Sequence, residues 1–188
     1  MILKNLTVVF LSLFISAIVP AGAAFANVQA DRNADLSRAF SFLHAVSGAA
    51  TGLSDLADQN AKSDLVKAYA RAMSTANAKM DARIQVLAQK YRIEIAPLDP
   101  QTEAGKSLLA RIKGEAALLR SLEGDAYDKE YMTLVTNTQQ SAIRFLESRK
   151  NLSPDNEVRA FIADLITIVQ NRLKTAQEVL AKVYADDF

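Results

Sequence analysis

The sequence predicts an all-α fold: a four-helix bundle of two antiparallel hairpins joined by a long crossover containing a short helix. Three observations carry this. Every ordered segment beyond the N-terminus repeats its apolar residues with a helical period. Short polar breaks divide the first two long helices and the last two, while the stretch from Arg92 to Gly124 separates the pairs. The two prolines inside that stretch, Pro97 and Pro100, forbid one continuous helix there.

The N-terminus reads as an export signal. Lys4 precedes an apolar run from Leu6 to Val19, Pro20 breaks it, and Ala24-Phe25-Ala26 fits the small-x-small rule for signal peptidase, placing cleavage before Asn27. The run is shorter than the ~20 residues of a membrane-spanning helix. Residues 1–26 are therefore expected to be a cleaved signal peptide, 27–33 a flexible tail, and 34–185 a single bundle. A periplasmic or secreted location follows, with no integral membrane segment after cleavage.

The first helix, from about Ala34 to Ala57, carries Phe40, Leu43, Val46, Ala50, Leu53 and Ala57 on one stripe. Gly48 and Gly52 lie inside it, at a cost of ~1 kcal/mol each against alanine unless something packs closely there. After the break "DQNAKS", Ser63 caps a second helix from Asp64 to about Tyr91, with the stripe Leu65, Tyr69, Met73, Ala76, Met80, Ile84, Leu87 and Tyr91. A crossover helix from about Thr102 to Leu122 spans about 30 Å, enough to carry the chain from one end of a bundle to the other. Gly124 breaks it and Asp125 is placed to cap the third long helix. In "LSPDNE", Ser153 reads as the cap of the fourth, with Pro154 at its first position and Asp155 and Glu157 in its first turn. Four long helices with one long crossover is the ferritin-like arrangement.

Composition narrows the function classes. Lys and Arg total 22 against 21 Asp and Glu, and removing the signal takes away one lysine and no acid. A formally neutral mature chain gives no electrostatic ground for nucleic-acid or anionic-membrane binding. With no cysteine, thiol catalysis, zinc thiolates and iron–sulfur clusters are excluded, and the domain is held by burial of roughly 70% of its unfolded surface.

A di-metal carboxylate site needs inward Glu residues and Glu-x-x-His, which puts both ligands on one helical face. That motif does not occur here. The one histidine, His44, lies beside the stripe of the first helix. It reads either as a lone metal ligand or acid/base group, or as a structural stripe-edge residue. Glu147, Asp81 and Glu115 read as stripe-edge acids reaching water, and the tyrosines as core residues with a wet tip. No catalytic residue, metal site or cofactor is assigned, and the partner is an unspecified protein or small molecule of the cell envelope. A homo-oligomer through Leu108, Ile112 and Leu119 of the crossover helix is a further expectation.

The segments "AYDKEYMTLVTNTQQSAIRFLE", "VKAYARAMSTANAK" and "VRAFIADLITIVQNRLKTAQ" resemble an exported bacterial ferritin-like family of unknown function, over about Phe40 to Val183. The most specific motif is Ala126, Tyr127, Asp128 and Tyr131. The resemblance implies a fold and an export location, and no activity. It also implies histidines in helices two, three and four; those positions fall on Asn77, Gln139 and Arg172, and acids expected in helix one fall on Ala50 and Gly52. Two readings of Asn77, Gln139 and Arg172 stand open. Each lies at a stripe margin with Arg172 snorkelling to water, or the three form a buried hydrogen-bonded network that fixes helix register. The resulting expectation is a non-catalytic binding or structural module. The alternative is a degenerate ferritin-like protein handling metal or peroxide through His44 and nearby carboxylates.

Overall fold

A computed structural model describes residues 21–151 and 155–185, and it contains five helices and no strand among them. They are α1 (Ala21–Asn60), α2 (Asp64–Tyr91), α3 (Glu103–Arg120), α4 (Gly124–Arg149) and α5 (Asn156–Ala185). The apolar run Leu6–Val19 expected as a signal lies outside the described residues. So do Ser153 and Pro154.

The two hairpins expected from loop length are present: α1 packs along α2, and α4 along α5. The pairs meet through α2 with α5 and α1 with α4, giving a ring in the order α1, α2, α5, α4. Contacts at the two ends fix the directions. The α1–α2 turn at Lys62 and Ser63 touches Asp128 at the start of α4, and Tyr91 at the end of α2 touches Asp155 and Glu157 at the start of α5. Each helix is therefore antiparallel to both its ring neighbours. The crossover from α2 to α4 must return the full height of the bundle, which α3, at about 27 Å, accomplishes.

Several local expectations are corrected. Residues 27–33, expected as a tail, fall within α1, in a stretch that no proline interrupts between Pro20 and Pro97. Asp125 does not cap α4; its carboxylate is drawn away to Lys62 Nζ at 2.9 and 3.0 Å, and α4 opens without a side-chain cap. The cap of α5 is Asp155, whose Oδ1 accepts from the amides of Glu157 at 2.8 Å and Val158 at 3.2 Å. Ser63 caps α2 as expected, accepting from Leu65 N at 3.2 Å. Thr102 caps α3, accepting from Gly105 N at 3.1 Å. Gly105 is required there: a Cβ would stand 1.9 Å from the Asp99 carbonyl oxygen. At Gly48 and Gly52 a Cβ would meet nothing within 4 Å, so the close packing anticipated there does not occur.

The crossover helix also turns its apolar side inward. Leu119 is fully buried and Leu108 nearly so, with Ile112 half-buried. The face expected to pair two copies is thus covered within the chain.

The core is divided in two. One apolar cluster joins Leu36, Phe40, Leu43, Ile84, Leu87, Leu146, Phe161, Leu165 and Val169. The other joins Ala57, Val66, Tyr69, Met73, Leu119, Tyr127, Tyr131, Met132, Ala176 and Val179. On each long helix the residues between these clusters include buried or half-buried polar groups. They are Ser47 and Ser54 on α1, Asn77 on α2, Thr136 and Gln139 on α4, and Arg172 on α5.

Candidate functional site

The polar waist between the two cores is the first candidate. Arg172 Nη1 donates to Asn77 Oδ1 at 3.0 Å, and its Nη2 donates to the Ala76 carbonyl at 3.1 Å. Arg172 thus reaches from α5 into α2 instead of out to water. Burial draws its pKa below the ordinary arginine value, while Tyr69 nearby acts the other way. Asn77 is 3% exposed and Gln139 9%. Both line one cavity of about 40 Å³ with Ser54, Tyr131, Thr138 and Ala50. Asn77 and Arg172 are therefore bonded directly, whereas Gln139 shares the cavity and makes no side-chain hydrogen bond among the described residues. Gly52, the other position where the resemblance places an acid, is exposed.

The tyrosine tips are drier than expected. Tyr131 reaches Ser54 Oγ at 3.3 Å, and the hydroxyls of Tyr69 and Tyr127 are buried without a hydrogen-bond partner, as is that of Ser47. Burial pushes the Tyr131 and Tyr127 hydroxyls up to about 12. None of these phenols is ionised at neutral pH, and their rings pack in the core.

His44 is the second candidate. Its Nδ1 lies 2.6 Å from Asp81 Oδ1, joining α1 to α2, and Asp81 Oδ2 also accepts from Gln85 Nε2 at 2.7 Å. A carboxylate that carries no proton can only accept, so this contact favours the tautomer with the proton on Nδ1. His44, Gln85, Gln89, Ile93 and Ile95 border an open groove of about 340 Å³. The partner residue was visible in the sequence only as a stripe-edge acid, because 37 positions separate the pair. Glu147, by contrast, reaches Lys150 at 2.6 Å on the surface, and Glu115 stands 3.4 Å from Arg111 on α3. Burial raises the Glu115 pKa, with Arg111 opposing. Among the described residues, no group of three or more His, Cys, Asp or Glu side chains is close enough to hold a metal ion.

The motif Ala126-Tyr127-Asp128-Tyr131 has a structural explanation. Asp128 is 1% exposed and accepts from Lys62 N at 2.9 Å and Ser63 N at 2.7 Å. It thereby closes the α1–α2 turn from across the bundle, where the amides of a helix start would otherwise be orphaned. Tyr127 and Tyr131 fill the core directly behind it.

A family profile described as "Domain of unknown function (DUF4142)" matches residues 29–179. No curated protein matches the chain. Among solved structures, the fold is similar to the crystal structure of "putative secreted protein DUF305 from Streptomyces coelicolor". The TM-score is 0.63 at 13% identity, over 81% of this chain and 93% of that one. At that identity the likeness speaks to the fold alone: a helical bundle. No helix among the described residues is long and apolar enough to cross a membrane.

Proposed function

The chain belongs to the DUF4142 family, and from that premise we propose that it is an exported, ferritin-like, non-catalytic bundle acting as a binding or structural module of the cell envelope. The observation that carries the reading is Arg172 in the waist, bonded to Asn77. A redox metal at that height needs imidazoles and carboxylates around it. Here the corresponding positions supply two amides and a fixed positive charge, which repels a cation and holds α2 to α5. Export is supported by the N-terminal pattern of Lys4, the apolar run and Ala24-Phe25-Ala26, and the similar solved structure is itself described as a "putative secreted protein". The test is elemental analysis and peroxide turnover of protein purified from its native compartment. The reading expects neither stoichiometric iron or manganese nor turnover, and finding both overturns it.

A second reading is favoured by the His44–Asp81 pair. A carboxylate on Nδ1 orients an imidazole and raises the basicity of Nε2, as it does behind metal-bound histidines. In this reading His44 is the weak metal ligand of a degenerate ferritin-like protein. Metal content of the native protein beside a His44→Ala variant decides it: unchanged content removes His44 from any site.

A further inference from the structure

The cavity of the waist has a composition that its packing role leaves unused. Asn77 Oδ1 is committed to the Arg172 guanidinium, so the Asn77 Nδ2 hydrogens remain for the cavity that Asn77 lines. The same guanidinium polarises the amide and strengthens Nδ2 as a donor. Gln139, more than nine-tenths buried, lines the cavity with its amide unpartnered among the described residues. Ser54 and Thr138 bring hydroxyls to the same wall, and the rest of the lining is Leu53, Met73, Leu134 and Val135 beside Ala50 and Tyr131.

Among the described residues no acidic side chain lines this chamber, and the nearest full charge in its hydrogen-bond network is Arg172. The volume of about 40 Å³ exceeds the threshold of about 10–15 Å³ for holding a water. A second small cavity, of about 30 Å³, adjoins it beneath the crossover helix and shares Ala50, Leu53 and Thr138. Arg111 and Glu115 of α3 border that outer space as a pair. Ala49 and Ala50 of α1 line that outer space as well.

We propose that the chamber is an anion site for one halide-sized ion, held by the Asn77 and Gln139 amides under the field of Arg172 and reached beneath α3. Amides and hydroxyls share a mostly apolar chamber that no acid lines among the described residues, and the charge joined to it through Asn77 is positive; that combination favours a weakly hydrated monovalent anion over a cation.

Two measurements on the purified protein test it together. Crystals grown in sodium bromide are read at the bromine absorption edge, and thermal unfolding is followed in chloride or bromide against gluconate at matched ionic strength. The expected result is an anomalous peak within hydrogen-bond distance of Asn77 Nδ2 and Gln139, with a saturable rise in Tm of about 2–4 °C. Gln139→Met keeps the side-chain volume and removes the amide; it should stay folded by circular dichroism and lose the saturable rise. Asn77→Ser, which keeps a donor but shortens it, should weaken the halide response at least fivefold. A chamber holding ordered water only overturns the proposal. So does a bromide peak at crystal concentration with no saturable shift in solution, and so does an equal shift in Gln139→Met.

Discussion

His44 Nδ1 stands 2.6 Å from Asp81 Oδ1, and this contact bridges α1 and α2 at the rim of an open groove. The histidine side chain is 41% exposed and the carboxylate 21%, so solvent screens much of the attraction. A double-mutant cycle with His44→Ala and Asp81→Ala should give a coupling of about 0.5–1 kcal/mol, read from urea midpoints. Asp81 retains Gln85 when His44 is removed, which keeps the cost of the single change low. A coupling near zero would show that the pair does not hold the helices together. Nitrogen-15 shifts should report the tautomer with the proton on Nδ1.

Asp128 is predicted to be the most sensitive acid in the chain. Its carboxylate satisfies two backbone amides of the α1–α2 turn from a fully buried position. Asp128→Ala should cost about 3 kcal/mol, a fall in Tm of roughly 6–12 °C. Asp128→Asn, which can still accept one of the two bonds, should fall between the variant and the wild type.

In the waist, single and double substitutions should differ in a characteristic way. Arg172→Met strands Asn77 and the Ala76 carbonyl, and should cost about 1–3 kcal/mol. Arg172→Met with Asn77→Leu removes both sides of the bond and should be less destabilised than the sum of the two single changes. Denaturant unfolding of the four proteins measures the difference, and strict additivity would mean the pair is not coupled.

At the other end of the bundle, Asp155 and Glu157 are held below the ordinary carboxylate values of 3.8 and 4.5. The Tyr91 hydroxyl is the main cause for Asp155; for Glu157 it is the Lys90 ammonium, then Tyr91. A carboxylate depressed by folding lends stability that is complete above its unfolded value and fades as pH falls through the folded one. Tyr91→Phe should therefore lower Tm at about pH 6, and the gap from wild type should close as pH drops below 4.5 and 3.8. A gap that persists unchanged at low pH would mean that Tyr91 acts by packing alone.

Glu115 should show the opposite sign. Burial raises its pKa, so its ionised form weighs against folding once pH rises through that raised value. Glu115→Gln is expected to unfold at a higher temperature than the wild type at about pH 7, with the advantage vanishing below about pH 4.5. A lower Tm at neutral pH would show that the Arg111 pairing outweighs burial.

Much of the site's location was legible before its contacts were. Asn77, Gln139 and Arg172 each fall between apolar stripe positions, and that spacing alone turns them toward the bundle interior. Whether Arg172 snorkels or bridges could not be read there, since a long side chain at a stripe margin reaches either way. The structure takes it to Asn77, where α2 and α5 come close. Asp128 was visible only as part of a motif, and its role depends on a turn 65 residues earlier. Asp155 caps α5 and Asp125 goes to Lys62, because several oxygens near each helix start compete for the same amides and cations.

By itself the sequence determined the helices, the hairpins and the need for a crossover long enough to return the height of the bundle. Those features rest on hydrogen bonds within four residues, on the helical period of apolar residues and on loop length, all local properties of the chain. Only the tertiary structure decided that His44 meets Asp81, that Asp128 locks the α1–α2 turn, and that Arg172 and two buried amides divide the core. Such contacts depend on the rotation and axial register of each helix against its neighbours. Those are set by how whole side-chain stripes interlock, and no single stripe contains them.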